Sequence, residues 1–133
     1  MRHDTSGQMR RIAFDHFAIA VSNRAETFDF YQRVLCAELV DLAPGRYAFR
    51  WGRNQINVRG PNPHLSPTEP ILPGSADVCF AWEGTVEEAA AYLGELGVPL
   101  IAGPMARHGA GGNGRSVYFR DPEGNLLEFI SYR

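Results

Sequence analysis

The sequence predicts an α+β fold: two βαβββ modules whose curved mixed sheets surround a cavity. Three observations carry this expectation. Apolar residues alternate with period 2 in short runs, two helical runs interrupt them, and the same order of elements returns at a fixed spacing. Residues 12–21 read as the first strand, with Phe17, Ile19 and Val21 on one face and Phe14, His16 and Ala18 on the other. Ser22 and Asn23 are N-cap residues for a helix over 26–35, whose Phe28, Tyr31 and Leu35 recur at helical spacing and should pack on the sheet. Strand-like pieces follow at 37–42, 46–51 and 54–59, broken at Pro44-Gly45 and Gly52-Arg53.

A shift of 61 residues (77 − 16) superimposes His16 on Asp77, Ile19 on Phe80, Val21 on Trp82, Tyr31 on Tyr92, Leu35 on Leu96 and Leu39 on Leu100. Strand, cap, helix and next strand therefore recur in order, the second helix falling within 85–96. Later strands are expected at 100–102, 114–120 and 126–131, with a tight hairpin at Asp121-Pro-Glu-Gly-Asn125. The stretch 60–74 carries Pro61, Pro63, Pro67, Pro70 and Pro73 and reads as an ordered but irregular crossover. The expected organisation is a flexible leader at 1–11, with Met9 an alternative start, and one domain over 12–133. Within it, module one spans about 12–60, the linker 61–74 and module two about 75–132.

Composition narrows the function classes. A chain of 133 residues with 44% hydrophobic content can build a core. Thirteen basic residues, all arginine, against fifteen acids leave a net charge of -2, which argues against nucleic acid as partner. Neither a secretory h-region nor a membrane-length apolar run occurs, and Cys36 and Cys79 fit no disulfide or metal spacing, so the expected compartment is the cytoplasm.

If each helix covers one sheet face, the other faces must meet, within one chain or between two. Pairing of two chains gains burial for so short a sequence, so a homodimer is expected. His16, Asn57, Asp77 and Glu128 then point toward one space, an imidazole with oxygen donors that suits a divalent metal. Taken singly, each has a plainer explanation: a hydrogen-bonded core histidine, a turn cap at Asp77, a solvated Glu128. Arg59 shares the Asn57 face and can clamp a carboxylate or phosphate. Tyr118 and Arg120 share a face of the penultimate strand, Arg120 being expected to pair with Asp121 at the rim. The glycine-rich stretch 107–115 lacks phosphate-loop spacing and reads as a mobile lid or a flexible hairpin, with His108 exposed. His64 reads as a surface residue, Cys79 as a small buried residue without an activating base, and Trp51 and Trp82 as core or pocket wall.

Phe14-Asp-His16, the helix Phe28-Asp-Phe-Tyr31-Gln-Arg-Val-Leu35 and the closing run Tyr118-Phe-Arg-Asp-Pro-Glu-Gly-Asn-Leu-Leu-Glu128 resemble the vicinal oxygen chelate superfamily, the glyoxalase/bleomycin-resistance/extradiol-dioxygenase group. Gln55-Ile-Asn-Val-Arg59 and Pro73-Gly-Ser-Ala-Asp77 are similar to its single-domain glyoxalase-like subgroup. The resemblance implies metal ligands at His16, Asp77 and Glu128; by their strand faces Asn57, Arg59 and Tyr118 are the expected substrate contacts. It implies bidentate chelation of a small oxygenated substrate by a divalent ion, in lyase, isomerase, thiol-transferase or dioxygenase chemistry. Asp77 stands where the family usually has His, so the ion set is Mn, Mg, Zn, Ni or Fe with a lean to the harder ions, and the two-His iron triad is not reproduced. Asn57 stands where glyoxalase I has Glu and cannot act as a proton-transfer base. The alternative the resemblance allows is a metal-free small-molecule or drug-binding resistance protein.

Overall fold

A computed structural model describes residues 10–61 and 71–133. The elements run β1 (Phe17–Ala20), α1 (Arg24–Arg33), β2 (Glu38–Ala43), β3 (Arg46–Trp51), β4 (Asn54–Arg59), β5 (Asp77–Ala81), α2 (Val86–Glu95), β6 (Ala102–Gly109), β7 (Gly112–Arg120) and β8 (Leu126–Ser131). They form two four-stranded mixed sheets, ordered β1-β4-β3-β2 and β5-β8-β7-β6. The two βαβββ modules of the sequence pattern are present, each with one parallel pair, β1 with β4 and β5 with β8. Most of the leader and of the proline-rich linker, with His64, lies outside the described residues.

The helices start where capping chemistry places them. The Asn23 side chain accepts from the Glu26 N–H, and Thr85 with Glu88 forms a reciprocal capping box. The repeat extends to the exits: Cys36 (φ 55) and Gly97 (φ 73), 61 residues apart, both turn the chain through the left-handed region. Glycine adopts that conformation freely, whereas Cys36 does so against its Cβ.

The first strand is shorter than its apolar alternation suggests. In the β1–β4 register Phe17 lies opposite Ile56, and β4 begins at Asn54, so upstream of Asp15 no partner residue remains. Ile12 and Phe14 consequently stand 91% and 80% exposed. In the second module β6 starts later and runs further than expected, shifting register between Ala102 and Met105. The glycine-rich stretch is thus neither lid nor slack connection but the tip of the regular β6–β7 hairpin. Its glycines serve close packing: a Cβ on Gly111 would lie 2.8 Å from Tyr132 Cζ, and the Gly111 N–H donates to the Tyr132 hydroxyl at 2.9 Å.

One core joins the modules. Ile19, Val21, Phe49, Ile56 and Val58 from the helix-covered side of the first sheet share it with Val117, Phe119, Leu127 and Phe129 from the second. Tyr31 stacks on Phe49 at 4.2 Å, Phe30 reaches Phe119, and Trp51 meets Phe80 at 5.1 Å. Phe28, Tyr31 and Leu35 pack on the sheet as the helical spacing implies, and Phe30 adds the contact across modules.

The hairpin turn at Asp121–Asn125 locks this arrangement. Asp121 is 5% exposed; its carboxylate accepts from the Tyr31 hydroxyl at 2.7 Å, from the Glu123 and Asn125 N–H groups, and from the Asn125 side chain. Glu123 reaches the start of α1, accepting from Ser22 N and Oγ, Asn23 N and Thr27 Oγ1 at 2.7–3.1 Å. Partial burial opposes its charge, but the bonds from Asn23, Ser22 and Thr27 outweigh it and hold the carboxyl below its ordinary range. Burial, then the Asp121 charge and hydrogen bond, drive the Tyr31 phenol far above its usual value, so it stays a donor. No helix among the described residues is long and apolar enough to cross a membrane.

Two outcomes follow from the turn. Tyr31→Phe leaves Asp121 short of a buried donor and should cost about 1–3 kcal/mol in denaturant unfolding. Because the folded-state value for Glu123 is depressed, its stabilisation is complete above the unfolded carboxylate pKa of about 4.3 and is lost as pH falls through the lower folded value. Glu123→Gln should lower the melting temperature at pH 7, and the gap to wild type should close on acidification through that window.

Candidate functional site

The open face of the second sheet collects the acidic candidates. In the parallel β5–β8 ladder Cys79 lies opposite Glu128 and Asp77 opposite Leu126. The β7–β8 ladder sets Tyr118 opposite Glu128. Partners at equal register point to the same face, so Asp77, Cys79, Glu128 and Tyr118 share one surface. No helix covers it: Asp77 and Cys79 are exposed, Glu128 and Tyr118 half-buried. The Tyr118 hydroxyl accepts from Arg107 Nε at 2.9 Å, and the guanidinium lies 5.6 Å from its ring centre.

Cys79 departs from expectation. It is exposed, because the face on which it sits has no cover from its own chain. Its thiol is nevertheless pushed up to about 12, first by partial desolvation, then by the charge of Glu128 and the hydrogen bond to it, and by Asp77. The thiol lies 3.9 Å from the Phe80 carbonyl, to which it donates, and in its neutral form it is not a nucleophile at neutral pH.

The open face of the first sheet presents Arg50, Gln55, Asn57 and Arg59. Arg50 donates through Nε and Nη2 to Gln55 Oε1 at 3.1 and 2.7 Å, and Gln55 Nε2 donates to Asn57 Oδ1 at 2.8 Å. His16 falls just outside β1, with Nδ1 2.6 Å from Asp15 Oδ2. Nδ1 donates to that carboxylate, which orients the ring and leaves Nε2 directed away from Asp15.

Within one chain these candidates do not converge. Among the described residues no group of three His, Cys, Asp or Glu side chains is placed to hold an ion, so His16 does not join Asp77 and Glu128. Nor do they line the cleft of about 390 Å³ along the seam between modules. That cleft is bounded by Phe14, Asp15, Trp51, Gln55, Cys79 and Phe80, among others. Asp77 and Glu128 share a sheet face within one chain, and no set of three such side chains gathers there among the described residues.

Several other expectations are corrected or met. Arg120 donates to the Gly124 carbonyl at 3.0 Å and not to Asp121, whose oxygens are already taken by Tyr31 and the turn. His108 is exposed and faces Asn113. Trp51 and Trp82 pack on the core and line a second cleft. Arg24 and Arg46, which the sequence pattern did not single out, flank Arg59; only the β3–β4 register and the start of α1 bring them there.

The thiol chemistry makes a direct check. Cys79 should resist iodoacetamide at pH 7–8 despite its exposure. Glu128→Gln should accelerate its alkylation by several-fold, as read by mass spectrometry of the Cys79 peptide. Unchanged kinetics in the variant would remove Glu128 from the account.

Comparison with known proteins agrees with this architecture. The sequence profile of the Glyoxalase/Bleomycin resistance protein/Dioxygenase superfamily matches residues 13–129. Virulence protein STM3117 of Salmonella typhimurium is 34% identical over 132 residues, covering 98% of this chain and 92% of the relative. Glyoxalase domain-containing protein RDO1 of Mycosarcoma maydis is 35% identical, over 91% of this chain and 69% of the relative. The structure of the integron cassette protein VCH_CASS1, from the mobile metagenome of V. cholerae, superimposes with a TM-score of 0.85 at 34% identity, covering 94% and 98% of the two chains. With its paired βαβββ modules and this sequence kinship, the chain belongs to the glyoxalase/bleomycin resistance/dioxygenase superfamily.

Proposed function

We propose that the protein is a cytoplasmic, divalent-metal-dependent enzyme that acts on a small oxygenated molecule in a cavity completed by a second copy of the chain. One observation carries the proposal: an imidazole already oriented by Asp15 and a carboxylate pair on an uncovered sheet face lie in one chain without meeting. A homodimer in which each open face meets that of the other copy would bring His16 of one chain to Asp77 and Glu128 of the other. The exposed Ile12 and Phe14 would then gain cover.

The residues that would hold the ion are His16, Asp77 and Glu128, a hard, oxygen-rich set favouring Mn or Mg over softer ions, with Zn, Ni and Fe as further candidates. When bound, such an ion supplies Lewis acidity to two adjacent substrate oxygens. This chain's own residues orient the substrate. Asn57 holds its amide in the Arg50–Gln55 hydrogen-bond chain, Tyr118 presents a hydroxyl braced by Arg107, and Arg59 lies on the Asn57 face. No carboxylate occupies the Asn57 position, so glyoxalase-type proton transfer has no base there. Thiol-transferase and other lyase chemistry that needs no carboxylate at that position fits better.

A second reading has its own support. Among the described residues no three ligating side chains gather within one chain, and this favours a metal-free binder of a small molecule or drug.

Sedimentation should give a dimer, and Mn²⁺ should raise the melting temperature of wild type but not of His16→Ala or Glu128→Ala. Mixing those two variants should restore one intact site per mixed dimer, and with it metal-dependent stabilisation. A monomer indifferent to Mn²⁺, Zn²⁺ and Fe²⁺ would overturn the metal proposal. Small-molecule affinity that survives both substitutions would establish the binder.

A further inference from the structure

The open face of the first sheet carries a hydrogen-bond chain whose direction is fixed by its first member. Arg50 of β3 lies opposite Gln55 of β4 in the antiparallel ladder, so both side chains leave the same face. Arg50 donates through Nε and Nη2 to Gln55 Oε1 at 3.1 and 2.7 Å. A guanidinium has no acceptor, so Gln55 must turn its oxygen to Arg50 and its Nε2 away. Nε2 then donates to Asn57 Oδ1 at 2.8 Å, which leaves the Asn57 Nδ2 group as the end of the chain.

What this chain offers outward is donors. Gln55 Oε1 spends both lone pairs on Arg50, and Asn57 Oδ1 spends one on Gln55. Arg50 meanwhile uses only two of the five N–H donors that a guanidinium carries. Its charge is also unmatched, since the ion pairs among the described residues are those of His16, Arg33 and Arg115. Glu38, opposite Arg50 on β2, is exposed and forms no ion pair with it. The guanidinium cannot shed its proton to relieve that imbalance. Arg50, Gln55 and Asn57 are all half-buried, so charge and donors act under weaker screening than at an open surface. The ladder neighbours of Asn57 on both sides are alanines, Ala18 and Ala48, so no long side chain is set directly beside its amide.

We propose that this face binds an oxyanion, the carboxylate or phosphate group of a small ligand, on the Arg50 guanidinium with the Gln55 and Asn57 amides beside it. A planar guanidinium fork matches both groups, and a ligand with only acceptor oxygens suits a surface that offers donors. The inference rests on the reading of this face as a wall of the ligand cavity, and it narrows the substrate to an anionic oxygenated molecule. His16, directly before the Phe17–Ile56 pair, falls level with Gln55. The anionic group therefore lies beside the imidazole assigned to the ion.

Side-chain NMR of nitrogen-15-labelled protein tests the assignment, with inorganic phosphate or acetate titrated against sodium chloride at matched ionic strength and EDTA present throughout. The Arg50 Nε–H signal and the Gln55 and Asn57 amide signals should shift saturably, and the preferred anion tells which group the site accepts. Arg50→Gln should weaken binding about tenfold or more. Gln55→Glu gives Arg50 an internal carboxylate, so it should abolish anion binding while the melting temperature holds at or above that of wild type. That variant separates loss of the site from loss of the fold. Arg115→Gln, on β7, should leave binding unchanged. Because EDTA removes divalent ions, saturable anion binding in a protein that Mn²⁺ does not stabilise would support this site and sink the metal proposal alone. Stabilisation by Mn²⁺ without anion binding would sink this inference alone. Shifts no larger than those with chloride, or undiminished affinity in Arg50→Gln or Gln55→Glu, would likewise overturn it.

Discussion

The turn from Asp121 to Asn125 is the contact on which the arrangement of this molecule depends. Five residues at the end of the second module satisfy one another, with Asp121 accepting from the Glu123 and Asn125 backbones, and then reach into the first module through Glu123 and Tyr31. Glu123 meets the positive start of α1, where the dipole and unpaired N–H groups favour a carboxylate. Asp121 is buried, so its charge is tolerable only because four donors surround it. A loop that looks local in sequence is thereby a clasp between modules.

The clasp decides which faces of the sheets are used up. With α1 held against the β7–β8 turn, the helix-covered sides of both sheets merge into one aromatic-rich core, where Tyr31 stacks on Phe49 and Phe119 packs tilted against Phe129. The opposite faces receive no helix. They carry the polar and charged side chains: Arg50, Gln55, Asn57 and Arg59 on one, Asp77, Cys79, Tyr118 and Glu128 on the other. Folding thus spends the apolar surface inward and leaves chemistry-bearing groups on exposed β surfaces. Such surfaces recruit ligands or further protein.

Much of this was legible before any coordinates. Both helices lie within two residues of the bounds that pattern and repeat imply, and Asn23 announces the first start by side-chain chemistry alone; Thr85, inside the expected span of the second helix, is its cap. Strands β3, β4 and β8 fell where alternation put them, bounded by Gly45, Gly52 and the Asp121–Asn125 turn. Alternation failed at β1, since pattern shows which residues want to pair and not whether a partner strand extends far enough. It failed again at β6, where the glycine-rich run looked like slack although it packs on Tyr132. Cys79 looked buried by residue type, yet no part of its own chain covers that face.

Sequence by itself determined the α+β class, the duplicated βαβββ order, the cap of the first helix and the faces on which Asn57, Asp77 and Glu128 lie, because period-2 and period-3.6 patterns and capping are local properties of the chain. Only the tertiary structure decided that His16 stands apart from the two carboxylates, that Arg24 joins Arg46 and Arg59, and that Arg120 leaves Asp121 to Tyr31. Those outcomes depend on register between strands far apart in sequence and on the clasp between modules, and no local pattern encodes where two distant segments meet.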